Sequence, residues 1–296
     1  MKRLFVLLFI LCSISIFAKN WTYEMETISI PTGTAGNEIY IYDAPDHLED
    51  APDEGPTKFQ IDETGNIYIL DERKIKKFDE EGKFIFATLS AKMNFLSFIV
   101  LNDTIWATCR DNRQNVFLRN FDQNGRVINS YQIEKRLTPL KLNQIGNIGF
   151  VLENNMFLGY HFGINEIYTE IGNYLINGKL EFNFRESKRS VIFPEENIEL
   201  DLNEIWPNEI GHSLIGFDEE GNLYFNIYSK PVSESKLGII SNSGEVIETN
   251  VVFPFYTNFG LDFVGGPENN MSIDGDIYQM IPMKDKIEIR KWKRVE

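Results

Sequence analysis

Hydrophobic and polar residues alternate along this chain in short runs, and the runs are separated by turns rich in Asp, Asn and Gly. From Ile61 to Phe84 it reads IDETGNIYILDERKIKKFDEEGKF, two alternating segments each bounded by an acidic glycine turn. Alternation with period two predicts pleated strands. The Asn-Gly, Asp-Gly and Glu-Gly pairs supply the positive backbone angles that tight hairpins demand. A helical reading of ERKIKKFDEEGKF rests on Ile75 and Phe78 lying three apart. It is the weaker one, because the same phase recurs before Gly125 as VFLRNFDQNG, where alternation fits better.

The pattern repeats. A short turn followed by an alternating strand occurs at ETGNIYIL, LNDTIWAT, QIGNIGFV, INGKLEFN, EEGNLYFN and IDGDIYQM, with turn residues Gly65, Asp103, Gly146, Gly178, Gly221 and Gly275. Their spacings are 38, 43, 32, 43 and 54 residues, the period range of propeller blades. A second turn follows in FDEEGKFI, FDQNGRVI and ISNSGEVI, 17, 22 and 23 residues past the first. Each unit is therefore about four strands. The units at Gly146 and Gly178 lack a recognisable second turn, FPEENIEL near 193 being a substitute for one of them.

The expected fold is all-β: a six-bladed β-propeller with four-stranded antiparallel blades, occupying 19–296 as one domain. After IDGDIYQM the chain has one more strand, DKIEIRKWKRVE, and stops; WTYEMETISIP at 21–31 alternates well and supplies the missing one. Glu24 to Ile30 should thus be the outermost strand of the blade holding Ile287 to Trp292, closing the ring and protecting its edges.

Residues 1–18 have the pattern of a secretory signal: Lys2 and Arg3, an apolar run from Leu4 to Leu11, then small and polar residues to Ala18. An uncleaved membrane anchor is one alternative, but the run is short against the roughly 20 residues of a bilayer span. Lipidation at Cys12 is another, although Leu11 stands where a bacterial lipoprotein signal usually has a small residue. The expected location is secreted or periplasmic, with no stable membrane insertion after cleavage.

Charge then narrows the partners. Removing 1–18 takes two of the 29 basic residues and none of the 44 acidic ones, moving the net charge from −15 to −17. Such a chain repels nucleic acid, whose binding relies on clustered Lys and Arg. The mature chain keeps only Cys109, so no intramolecular disulfide can form, and its strand context, IWATCR, suits a buried structural thiol.

The run GNIYILD followed by RKIKKFDEEGKFI resembles the NHL-type and wider TolB-like six-bladed propeller families, and APDEGPTKFQID is similar to the lead-in of exported bacterial propellers. Only the first unit matches closely; those at Gly125 and Gly221 match in part. The resemblance implies a fold and not a reaction, since propellers host both enzymes and inert platforms.

Propeller ligands usually meet the channel mouth, where the first strand of each blade begins. The residues there are Glu54 and Thr57 in blade one, Asn94 in two, Thr138 in three, Glu170 in four, His212 and Ser213 in five, and Gly266 and Pro267 followed by Glu268, Asn269 and Asn270 in six. Glu54, Thr57, Asn94, His212 and Asn269 are the ligand-binding candidates. Oxygen donors in a ring can hold calcium, which would resemble the gluconolactonase and paraoxonase class; any hydrated channel also has polar lining. His47, His161 and His212 occupy non-equivalent blade positions, against a three-histidine zinc site. Neither Gly-x-Ser-x-Gly nor Gly-x-x-x-x-Gly-Lys occurs. The acidic HLEDAPDEGP suits a solvated loop, and Asp274 and Asp276 suit turn formation. Trp206, Phe253, Phe255, Tyr256 and Phe259 suit either a glycan or peptide surface or blade packing.

The sequence thus favours a monomeric, exported, non-catalytic scaffold for a protein, small molecule or glycan, with no resident cofactor. A calcium-dependent lactonase or esterase is the alternative, and an envelope assembly factor a third reading. The leader predicts that N-terminal sequencing of the protein secreted from a bacterial host begins near Lys19; a chain still starting at Met1 would overturn it.

Overall fold

The computed structural model describes residues 20–41, 55–56, 58–71, 73–88, 93–101, 104–133, 137–142, 147–152, 157–161, 167–170, 173–176, 180–185, 188–193, 198–209, 211–229, 234–254, 269–272, 274–283 and 285–295. The architecture is all-β and propeller-like. After β1 (Asn20–Pro31), a first antiparallel sheet contains β2 (Lys58–Ile61), β3 (Ile67–Asp71), β4 (Lys74–Phe78) and β5 (Phe84–Ala87) in sequential order. A second contains β6 (Asn94–Leu101), β7 (Thr104–Arg110), β8 (Val116–Phe121) and β9 (Val127–Ile133). A third follows with β10 (Leu137–Leu142), β11 (Asn147–Leu152), β12 (Phe157–His161) and β13 (Ile167–Glu170). A fourth holds β14 (Asn173–Ile176), β15 (Leu180–Arg185), β16 (Lys188–Phe193) and β17 (Ile198–Asp201), leading into the short helix α1 (Leu202–Ile205). The two weakly marked units are therefore four-stranded as well.

The remaining strands form one nine-stranded sheet with two halves. One half runs β18 (Gly211–Phe217), β19 (Leu223–Tyr228), β20 (Glu234–Ile240), β21 (Val246–Thr249), with β22 (Val252–Pro254) continuing along the same edge of β20. The other runs β23 (Asn269–Met271), β24 (Ile277–Pro282), β25 (Lys286–Val295), β1. The chain termini pair in antiparallel register from Thr22↔Val295 to Pro31↔Lys286, with Glu24 opposite Lys293 and Ile30 opposite Ile287. This is the pairing expected of two alternating terminal segments.

The two halves are joined by a device the sequence did not announce. The start of β1 also pairs in parallel with β21, Asn20↔Glu248 and Trp21↔Thr249. Between β21 and β22, Asn250 takes over the role of a strand partner. Its Oδ1 accepts from the Tyr23 N–H at 2.9 Å and its Nδ2 donates to the Tyr23 carbonyl at 3.1 Å.

Inner strands such as β3 and β19 are buried on both faces, and alternation sorts their side chains between them. On β3, Ile67 and Ile69 pack with Phe59, Phe78 and the Tyr278, Met280, Ile287 and Ile289 of the terminal half. Tyr68 and Leu70, from the same strand, pack instead with Phe95, Phe98, Ile105 and Phe121 of the second sheet. On β19, Leu223, Phe225 and Ile227 face Leu202 of α1, whereas Tyr224 faces Met271, Ile277 and Trp292. Fully burying a side chain of this size stabilises by roughly 1.5–3 kcal/mol. The first strands sit innermost: β2 lies beside β6 and β23, β6 beside β10, and β23 beside β18.

Turn chemistry repeats at 62–66, 79–83, 111–115, 122–126, 218–222, 241–245 and 272–276. In the first, the Asp62 carboxylate accepts from the Thr64 and Asn66 N–H groups at 3.0 and 2.9 Å, and the Asp62 N–H donates to the Asn66 carbonyl at 3.1 Å. The fourth residue of each turn has positive φ, from +65° at Gln114 to +85° at Gly221, Gly244 and Gly275. Burial works to raise the pKa of Asp62, but hydrogen bonds from Asn66, Thr64 and Tyr68 outweigh it and hold the carboxyl below its ordinary value. Asp274 and Asp276 lie in the last of these turns, consistent with a turn-forming role. Cys109 is buried, and burial pushes its thiol pKa to about 11, so it is a packing residue.

Two turn glycines also meet the backbone of a neighbouring sheet. A Cβ on Gly82 would lie 2.9 Å from the Ser29 carbonyl of β1, and one on Gly125 would lie 2.8 Å from the Ala87 carbonyl of β5. At Gly65 the nearest atom is 3.6 Å away. Gly65→Ala should therefore cost only the left-handed backbone, about 1–2 kcal/mol. Gly125→Ala adds overpacking and should cost roughly 2–5 kcal/mol. Urea titration of both variants checks this; equal losses would mean that the turn does not rest on β5.

Candidate functional site

The mouth is the end of the sheets where first strands begin and second strands finish. Asn94 opens β6, opposite Arg110, and is exposed. His212 is the second residue of β18, Asn269 the first of β23, and Thr138 the second of β10. Glu170 is the last residue of β13, opposite Phe157 at the start of β12, so it stands at the mouth end of the sheets but on the outer strand of the third unit and not on the first strand of the fourth. The cause is the compact fourth unit, in which β14 begins only at Asn173. Glu54, Thr57, His47 and 266–268 lie outside the described residues, as do Phe255, Tyr256 and Phe259.

Amide side chains tie neighbouring sheets together at this end. The Asn269 Nδ2 donates to the Asn226 Oδ1 of β19 at 2.6 Å, and the Asn270 Nδ2 donates to the Phe59 carbonyl of β2 at 3.0 Å. The Gln279 Nε2 donates to the Pro254 carbonyl at 3.0 Å, and the Lys58 Nζ to the Leu96 carbonyl of β6 at 2.9 Å. Asn269 and Asn270 point to opposite neighbours because successive residues of a strand face opposite ways.

The same rule separates two of the candidates. His212 is buried, and its ring lies 5.3 Å from that of Trp206, which also packs on Phe225 at 5.6 Å. Asn226, which bonds Asn269, is the strand partner of Ser213, the next residue. His212 and Asn269 thus work on opposite faces of the β18–β19 pair. Trp206 follows α1, whose Asp201 cap accepts from the Asn203 N–H at 2.9 Å, so this aromatic residue is a packing element. Phe253 is fully buried and meets Trp292 edge-on at 5.0 Å.

Two ion-pair groups, not evident from the repeat pattern, flank the mouth. Asp71 at the end of β3 and Lys76 of β4 form a buried pair at 2.5 Å. Asp71 also accepts from the Tyr40 N–H at 3.2 Å, and Lys76 donates to the Glu38 carbonyl, so the pair anchors the segment that leaves β1. Removing one member of such a pair leaves the other charge uncompensated, a loss of roughly 3–5 kcal/mol. The sequence signal was present in LDERKIK, but only the hairpin brings Asp71 and Lys76 together. On β25, Glu288 accepts from Arg290 at 2.8 Å and from Lys286 at 2.9 Å. Burial works to raise the pKa of Glu288, and the two cations outweigh it, holding the carboxyl below its ordinary 4.5.

A depressed folded pKa gives stability that is present above the unfolded value and lost as pH falls through the folded one. Melting of the protein should therefore weaken as pH drops below about 4.5, and Glu288→Gln should reduce that acid dependence while lowering the melting temperature at pH 7. Parallel acid slopes for both proteins would show that Glu288 gains nothing from its two partners.

No family model matches the chain, and no curated protein matches it. Solved structures do. A crystal structure of a DUF4221-family member from Bacteroides vulgatus is similar over 94% of this chain and 99% of that one, with a TM-score of 0.53 and 13% identity. The WD40 domain of Neurospora crassa Pan2 covers 81% of this chain and 78% of that domain at a TM-score of 0.46 and 9% identity. Kluyveromyces lactis Hsv2 covers 76% and 69% at 0.44 and 10%. At these identities the likeness concerns the fold alone.

Proposed function

We propose that this chain is an exported six-bladed β-propeller of the NHL and TolB-like kind, closed by β1 and β25, which serves as a binding scaffold. Four four-stranded sheets and the two halves of the nine-stranded sheet support a count of six blades. The ligand, a protein, peptide or glycan, is held at the mouth by Glu54, Thr57, Asn94 and Asn269, with His212 supporting the rim through its stack on Trp206.

The observation that carries this reading is the two-sided burial of β3 and β19. A sheet packed on both faces has its strand ends and loops left to meet a partner, and loops on a rigid scaffold are where binding residues concentrate. At the mouth of this scaffold stand amides such as Asn94, able both to donate and to accept. Fixed polar groups of that kind suit reversible recognition.

The test separates scaffold from hydrolase. Purified mature protein should melt at the same temperature in calcium chloride and in EDTA, since only a ligand that binds the native state raises the melting temperature. On a peptide and glycan array, Asn94→Ala should weaken retention about tenfold without changing the melting temperature, the effect of losing one or two hydrogen bonds. Calcium-dependent melting together with lactone or ester turnover would overturn the scaffold reading.

A further inference from the structure

The interface between the two halves of the nine-stranded sheet changes character along its length. Its lower part is apolar, built from Tyr224, Leu237 and Phe253 against Met271, Ile277 and Trp292. Towards the mouth the facing positions become Asn226 and Ser235 on one side, Asn269 and Gln279 on the other. Alternation fixes this assignment. Ser235 is two residues from Leu237, Asn226 is the strand partner of Leu237, and Gln279 is two residues from Ile277. Asn269 and Gln279 are themselves cross-strand partners, so their amides stand side by side on one face.

Both amides use their nitrogens to reach across, Asn269 to the Asn226 Oδ1 at 2.6 Å and Gln279 to the Pro254 carbonyl at 3.0 Å. Their oxygens are left. The Asn269 Oδ1 and Gln279 Oε1 are buried with no protein partner among the described residues, and so is the Ser235 Oγ. Gln279 and Ser235 are both 0% exposed. An amide or hydroxyl buried without a hydrogen bond is costly, and three such oxygens at one interface are unusual in a native protein.

We infer that this interface binds a small monovalent cation, sodium or potassium, through the Asn269 Oδ1, the Gln279 Oε1 and the Ser235 Oγ. An amide oxygen only accepts, so whatever satisfies the pair must be a donor or a cation. Hard cations take oxygen ligands, and calcium sites draw on carboxylates, which this set lacks. Glu288, on the same face of β25 as Trp292, is engaged by Arg290 and Lys286, and it neutralises the Arg290 that stands opposite Gln279. The bound ion would brace the join between the two halves of the nine-stranded sheet. This site shares Asn269 with the mouth but does not rest on the scaffold reading.

Thermal melting of the purified chain in sodium, potassium and choline chloride at equal ionic strength tests the inference. Sodium or potassium should raise the melting temperature by roughly 2–4 °C over choline. Gln279→Met, checked for folding by circular dichroism, should lose that difference. Sodium-23 NMR needs no variant: the wild-type protein should broaden the sodium line, and potassium should narrow it again. Equal melting in all three salts with an unbroadened sodium line means that ordered water satisfies these oxygens and overturns the site. A salt-specific rise that persists in Gln279→Met overturns the assignment of its ligands.

Discussion

Two-sided burial is the constraint from which the rest of this structure follows. A strand such as β3, IYILD, has no solvent face, so its sheet is stable only with a neighbour on each side. Ile67 and Ile69 need the terminal half, while Tyr68 and Leu70 need the second sheet. A row of such sheets always has two unsatisfied ends. Pairing β1 with β25 lets one sheet be completed by strands distant in sequence, and it does so by backbone pairing, Cys109 being free.

The same constraint explains where polar groups are tolerated. Among the described residues, side chains bond between units toward the mouth end of the strands: Asn269 to Asn226, Asn270 to Phe59, Lys58 to Leu96. At the opposite end, Tyr68 and Tyr224 donate to Asp62 and Asp218 of their own turns at 3.1 and 2.8 Å. Burial and the neighbouring Tyr23 and Asp218 push the Tyr224 pKa far up, so its hydroxyl stays a donor. Between the two polar ends lies the apolar middle, as where the first sheet packs on the second and on the terminal half.

Much of this was legible in one dimension, for identifiable reasons. Asp62, Gly65 and Tyr68 repeat as Asp218, Gly221 and Tyr224 because each Tyr hydroxyl closes on the Asp of its own turn, a local geometry written in local sequence. The turn at 111–115 escaped notice because Gln114, not Gly, takes its positive φ. Glu170 falls in the third unit because the fourth is shorter and begins only at Asn173. His212 and Asn269 each turn toward the preceding unit, yet they stand on opposite faces of the β18–β19 pair because His212 belongs to that pair and Asn269 reaches it from the next half of the sheet. Spacing predicts height along a sheet, and only register predicts the side.

The sequence by itself determined that the chain is built from repeated hairpins, that its first and last segments both alternate, and which residues lie in the glycine turns. These depend on interactions within a few residues, which the order of residues states directly. The tertiary structure decided what meets between the units: Asn270 with Phe59, Asn250 with Tyr23, and Asn269 and Gln279 with Asn226 and Pro254. Such contacts depend on which face a side chain takes and which sheet lies beside it, and both are settled only when the sheets pack.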